Sequence, residues 1–105
     1  MPFVVYAGTA TEVGLTESEL KIDELHCDRP ITFYDISKLT AEHYLLQFVR
    51  EGWLKGCSLR LCNVYGGMKN GQNSERGIID RVFQQSLRGE SIQLFGDGSY
   101  VRDYI

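Results

Sequence analysis

Tyr34 and Lys38 stand four residues apart in Phe33-Tyr34-Asp35-Ile36-Ser37-Lys38-Leu39-Thr40-Ala41-Glu42-His43. On a helix that spacing puts a phenol and an ammonium on one face. A fixed positive charge beside a phenol favours phenolate, the form that can take a proton from a sugar or alcohol hydroxyl. The same pair also occurs on ordinary amphipathic helices, so the elements around it must carry the argument.

Thr32 is a natural N-cap for that helix, with Asp35 three residues on in the manner of a capping box, and Gly52 is a natural stop. Ala41, Tyr44, Leu45, Phe48 and Val49 recur at helical spacing and form a stripe expected to be buried. Upstream, Phe3-Val4-Val5-Tyr6 is a short apolar run that reads as a buried strand ending in Ala7-Gly8-Thr9-Ala10-Thr11. Downstream, Cys57-Ser58-Leu59-Arg60-Leu61-Cys62 reads as a second strand, breaking into a loop at Asn63-Val64-Tyr65-Gly66-Gly67. Strand, helix and strand predict a βαβ unit with a parallel sheet, whose ligands sit at the carboxyl ends of the strands, where Thr9, Asn63 and Tyr65 fall. Residues 14–31 read as an acidic loop and residues 66–75 as a glycine- and amide-rich one. A second helix is expected from about Arg76 to Arg88, with Ile78, Ile79, Val82, Phe83 and Leu87 as its apolar side, and a short strand from Ser91 to Phe95.

With these elements in place, the chain resembles the extended short-chain dehydrogenase/reductases that act on nucleotide sugars, the family of NAD-dependent epimerases and dehydratases. The resemblance rests on Tyr34 and Lys38 followed by Ala41-Glu42, on Leu59-Arg60-Leu61-Cys62-Asn63-Val64-Tyr65-Gly66, on the closing Leu94-Phe95-Gly96-Asp97-Gly98-Ser99-Tyr100-Val101-Arg102-Asp103-Tyr104-Ile105, and on Thr9 lying 25 residues before Tyr34. It implies an α/β fold: the back half of a Rossmann-type parallel sheet, without its first βαβ units, leading into a small α+β substrate-binding region. Residues 1–65 would be the back of the NAD-binding domain with the catalytic site, and residues 66–105 the start of the nucleotide-sugar-binding region. In that reading Tyr34 is the acid/base, Lys38 holds the nicotinamide ribose and keeps Tyr34 acidic, and Thr9 hydrogen-bonds the reacting sugar oxygen. Asn63 contacts the nucleotide sugar and Arg102 pairs with its diphosphate, a role suited to a forked, permanent cation. Thr9, Tyr34 and Lys38 should then converge at one end of the sheet.

The glycine-rich strand-turn-helix that holds the NAD pyrophosphate in such enzymes has no counterpart here, since Gly96-Asp97-Gly98 reads as a turn. The chain is therefore expected to be a fragment, inactive and without tight NAD affinity by itself, and NADP stays open beside NAD. Thr11-Glu12-Val13-Gly14 departs from the Val-Tyr-Gly that relatives carry after the catalytic hydroxyl. If a residue is deleted there, Thr11-Glu12 occupies the place of the Asp-Glu pair of sugar dehydratases with one carboxylate of the two. This weighs toward an epimerase or reductase over a 4,6-dehydratase. An inactive assembly module and a ligand-binding protein without redox chemistry are the alternatives.

The 105 residues, 43% hydrophobic and 24% charged, suit one modest globular core. A net charge of -3 argues against a nucleic-acid partner, and no apolar run approaches a membrane span or a signal segment. Cytoplasm is the expected location. Cys27, Cys57 and Cys62 lack CxxC spacing, so neither a disulfide framework nor a metal site is expected, and Cys57 and Cys62 read as buried apolar residues. His26 and His43 read as surface residues. Apolar side chains on two helices with few strands to cover them predict a homodimer or higher oligomer.

Overall fold

The structure, a computed structural model, describes residues 1–15, 21–66 and 77–105. It falls into two compact units, Met1–Cys62 and Asn63–Ile105.

In the first unit, strands β1 (Phe3–Thr9) and β2 (Lys55–Leu61) pair in parallel, with Tyr6 opposite Ser58, Gly8 opposite Arg60 and Thr9 opposite Leu61. Helix α1 (Phe33–Arg50) crosses between them. This is the βαβ unit the residue pattern predicts. A single 3-10 turn, Ala10–Val13, follows β1 directly.

Helix α1 starts where Thr32 and Asp35 satisfy each other's backbone N–H groups in a capping box. It ends in a Schellman motif. Gly52, at φ +73°, donates to the Val49 carbonyl at 3.0 Å and Trp53 donates to Phe48 at 3.1 Å, while the Trp53 and Phe48 rings meet at 5.4 Å. Gly14 is equally constrained: at φ +77° a Cβ there would lie 2.0 Å from the Arg29 carbonyl oxygen, and Arg29 N–H donates to Val13. The chain from 21 to 31, without helix or strand, thereby returns to the turn after β1.

The core departs from the expected apolar stripe. Leu45 is buried and Val49 half-buried, but Tyr44 and Phe48 face outward. Beneath the helix lie charges: Glu12, Asp35 and Glu42 are buried, whereas Val13 at 9% and Leu45 at 8% exposure are the buried apolar residues among those described. The helix-facing positions of β2 are Gly56, Ser58 and Arg60, so Cys57 and Leu59 alternate to the uncovered face, and Cys57 is exposed where burial was expected. Cys62 and His26 are half-buried, and His43 is exposed.

In the second unit helix α2 spans Ile78–Leu87, and most of its apolar side is exposed: Ile78, Val82, Phe83 and Leu87. Ser91 to Phe95 is not a strand. The strand-like pairing belongs instead to the chain end: Asn63 N–H donates to Asp103 O at 3.1 Å, Ile105 N–H to Asn63 O at 3.0 Å, and Tyr65 N–H to Ile105 O at 3.2 Å. A segment can act as a strand only where a neighbour accepts its backbone bonds, and residues 63–65 take 103–105 as that neighbour. Of the loop expected at 66–75, all but Gly66 lies outside the described residues.

Candidate active site

Tyr34 is the second residue of α1 and 57% exposed, so its phenol is open to a ligand. One turn along, the Lys38 ammonium lies 5.8 Å from the Tyr34 ring centroid and donates to the Ala7 carbonyl at 2.9 Å. Lys38 therefore reaches the carboxyl end of β1, two residues before Thr9. The spacing of four does bring the phenol and the ammonium together, and β1 anchors the charge.

Thr9 closes β1 and caps the 3-10 turn. Its hydroxyl shares a 3.0 Å hydrogen bond with that of Thr11, whose own hydroxyl also bonds the Asp35 carboxylate. Asp35 thus joins the Thr9 turn to the first turn of α1. The Thr11 hydroxyl, and after it that of Thr32, hold the Asp35 carboxyl below the usual carboxylate range.

A charge cluster fixes the turn from the other side. Glu12 accepts the Thr9 N–H at 2.7 Å and is 0% exposed. Arg60, on β2, approaches Glu12 at 3.4 Å, binds Asp28 with both terminal nitrogens at 2.6 and 2.8 Å, and meets Glu42 of α1 at 2.6 Å. Burial raises Glu12 above the ordinary value of 4.5. Hydrogen bonding to Arg60 lowers Asp28. In Glu42 burial is the largest influence and pushes upward, but the hydrogen bonds to Arg60 and Ser58 together with the Arg60 charge outweigh it, so Glu42 too is lowered. One guanidinium so ties together the turn after β1, the 21–31 segment, α1 and β2. Glu12, the one carboxylate placed by sequence in a dehydratase-like position, is engaged with Arg60 and the Thr9 backbone.

Asn63 and Arg102 belong to the second unit. The Asn63 amide donates to Asp103 O at 3.0 Å, and exposed Arg102 donates to Val101 O at 3.1 Å and forms no ion pair among the described residues. Its charge is free for an anion. No group of His, Cys, Asp and Glu suited to a metal ion occurs among the described residues.

Sequence reasoning passed over Tyr6 and the Arg60 cluster. The readable signal was an arginine inside an apolar strand together with a glutamate on the helix's would-be apolar side, a pattern that makes sense only if the two meet.

The family model described as the NAD dependent epimerase/dehydratase family matches residues 2–105. A curated relative, a putative UDP-glucose 4-epimerase of Methanocaldococcus jannaschii, is 30% identical over 97% of this chain and 33% of its own length. The structure of UDP-glucose 4-epimerase from Thermotoga maritima with UDP-glucose superposes with a TM-score of 0.85 at 36% identity, covering 98% of this chain and 33% of that one. The Thermus thermophilus UDP-glucose 4-epimerase in complex with NAD gives 0.83 at 30% identity, over 99% of this chain and 35% of that one. The chain thus spans about a third of the length of these relatives. With the match running from residue 2 to residue 105, and with the paired strands, the bridging helix and the phenol–ammonium pair in the order the motifs require, the chain belongs to the NAD-dependent epimerase/dehydratase family.

Proposed function

We propose that this chain carries the catalytic part of an NAD-dependent nucleotide-sugar epimerase, with Tyr34 as the acid/base. The observation that carries the reading is the exposed Tyr34 phenol beside an ammonium anchored to β1 through Ala7. Tyr34 takes the proton of a sugar hydroxyl, and Thr9, its own hydroxyl held by Thr11, orients the same oxygen. Asn63 and Arg102 hold the nucleotide sugar, Arg102 by its diphosphate.

The residues present fit the nicotinamide ribose end of the cofactor. An ammonium has three N–H donors, Ala7 takes one, and two remain for a vicinal pair of hydroxyls beside Tyr34. NADP would meet the same groups at this end. When bound, the nicotinamide supplies acceptance and return of a hydride. The engagement of Glu12 with Arg60 favours epimerase over 4,6-dehydratase, since elimination needs a carboxylate that faces the sugar.

Incubation with UDP-glucose and NAD, followed by NMR, tests this in a protein that carries this chain together with a glycine-rich NAD-binding unit, since the chain by itself is expected to be inactive. Inversion of the sugar hydroxyl is the expected result. A keto-deoxy product would replace the reading by a dehydratase, and binding without conversion would replace it by a ligand-binding module. Arg102→Ala is expected to weaken nucleotide-sugar affinity by about 10- to 100-fold, the worth of a charged hydrogen-bonded contact, and unchanged affinity in a titration would remove Arg102 from the diphosphate site.

The same reading places the protein in the cytoplasm, where the free thiols of Cys27, Cys57 and Cys62 stay reduced. No described helix is long and apolar enough to cross a membrane. It also includes self-association. Phe33 and Tyr44 on α1, Phe3 and Leu59 on the sheet, and Trp53 are all exposed, more large apolar surface than a monomer ordinarily leaves open. Light scattering at micromolar concentration is expected to give a dimer or larger species, and a stable 12.0 kDa monomer would refute that.

A further inference from the structure

We propose that Tyr6 is a positioning residue that sets the Lys38 ammonium in place, an assignment that rests on the reading of Lys38 as the partner of Tyr34. Tyr6 lies on the helix-facing side of β1, opposite Ser58. Its hydroxyl donates to the backbone carbonyl of Lys38 at 3.3 Å, and its ring centroid lies 5.2 Å from the Lys38 ammonium. The next residue, Ala7, accepts the ammonium at 2.9 Å. Two consecutive strand residues therefore grip both ends of Lys38.

A lysine is a point charge on a flexible four-carbon stem, so its placement must come from its surroundings. Tyr6 contributes in two ways. The hydroxyl fixes the height of α1 over β1 at the residue that matters, and the ring face attracts the cation. With the Tyr34 ring 5.8 Å away, the ammonium has two aromatic neighbours and one carbonyl. Leucine at position 6 would supply neither contact, and phenylalanine only the ring. Tyr6 itself acts through Lys38 rather than on the sugar.

NMR of the chain with labelled lysine tests this without any ligand. The Lys38 ε-protons are expected upfield of those of the other lysines, shifted by the ring currents. Tyr6→Leu should reduce the docked population about two- to fivefold, the factor one exposed cation–π contact contributes, and should shrink the shift accordingly. Tyr6→Phe should restore most of it, and Tyr34→Leu apportions the remainder to the second ring. In the NAD-loaded protein Tyr6→Leu should lower kcat by a similar factor with the nucleotide-sugar KM unchanged. Lys38 ε-protons at ordinary positions in the wild type overturn the proposal even if a variant fails to fold. So does an undiminished shift in Tyr6→Leu, or a lost shift with kcat intact. Turnover that survives Tyr34→Phe would instead sink the functional reading, while the ligand-free NMR still decides whether Tyr6 grips Lys38.

Discussion

Arg60→Leu is expected to destabilise the first unit by about 2–4 kcal/mol. Removing one partner of a buried ion pair costs roughly 3–5 kcal/mol because the other charge is left uncompensated, and the estimate is reduced because the Arg60 side chain is 27% exposed. Three carboxylates, Glu12, Asp28 and Glu42, lose their common cation at once. An ordinary domain has about 5–15 kcal/mol in all. A unit with so little buried apolar surface has little to spare, so the variant should be largely unfolded in urea concentrations the wild type withstands. Arg60→Lys should fall between the two, keeping the charge but losing the fork that engages Asp28 at two points. Circular dichroism of urea titrations decides it, and an unchanged midpoint in Arg60→Leu would show that the cluster contributes nothing.

Acid sharpens the same test. Asp28 and Glu42 are lowered from 3.8 and 4.5, so the stability they contribute is present above those values and is lost as pH falls through their folded values. Glu12 is raised from 4.5 and works the other way. Its ionised form is penalised at neutral pH, and the penalty is relieved as pH falls through its raised value toward 4.5. The wild type should therefore change little or gain slightly down to about pH 4.5 and then lose stability in stronger acid. In Arg60→Leu the cation common to the three carboxylates is gone, and only weaker influences such as the Thr9 N–H at Glu12 still favour their ionised forms. Protonation removes their mutual repulsion, so acid should stabilise that variant over the same range. Opposite slopes below pH 4 are the signature. Parallel slopes would mean that Arg60 is not what holds the three acids charged.

The extent to which the sequence discloses this molecule follows the range of the interactions involved. The start and stop of α1 are legible because Thr32, Asp35 and Gly52 act on backbone groups within a few residues. The parallel pairing is legible because a helix of this length between two short strand-like runs leaves little else. The buried face of α1 is not. Apolar periodicity turns Tyr44 and Phe48 inward, whereas Glu42 lies inside because Arg60, 18 residues away, neutralises it, and that arginine is itself held by Asp28 from 32 residues away. No local pattern encodes such a closure. The strand expected at Ser91 to Phe95 fails for a related reason: β-propensity marks a segment that could pair, and the partner decides which one does. At the site, Tyr34 and Lys38 are legible from their spacing, while Tyr6 bonds Lys38 across 32 residues and carries no signature beyond being an aromatic within a strand.

Tyr34→Phe is expected to lower kcat by about 10²–10⁴-fold in the NAD-loaded protein, the range over which a positioned acid/base accelerates proton transfer. The substitution is selective by construction. The ring stays, and with it the 5.8 Å approach of the Lys38 ammonium, while the only group removed is the oxygen that would take the sugar proton. The phenol is exposed and makes no hydrogen bond among the described residues that the fold would miss, so the thermal midpoint should move little. Affinity for the nucleotide sugar should be largely kept, because the groups assigned to it, Asn63 and Arg102, lie in the other unit. A fall in kcat at nearly constant KM would identify an interaction made in the transition state rather than in the bound ground state. Lys38→Met should also lower kcat but weaken cofactor binding as well, since it removes the two free N–H donors along with the charge. Turnover near the wild-type rate in Tyr34→Phe would exclude the phenol as the base, and the site would then have to draw its proton acceptor from the carboxylates around Thr9, of which Asp35 is linked to the Thr9 hydroxyl through Thr11.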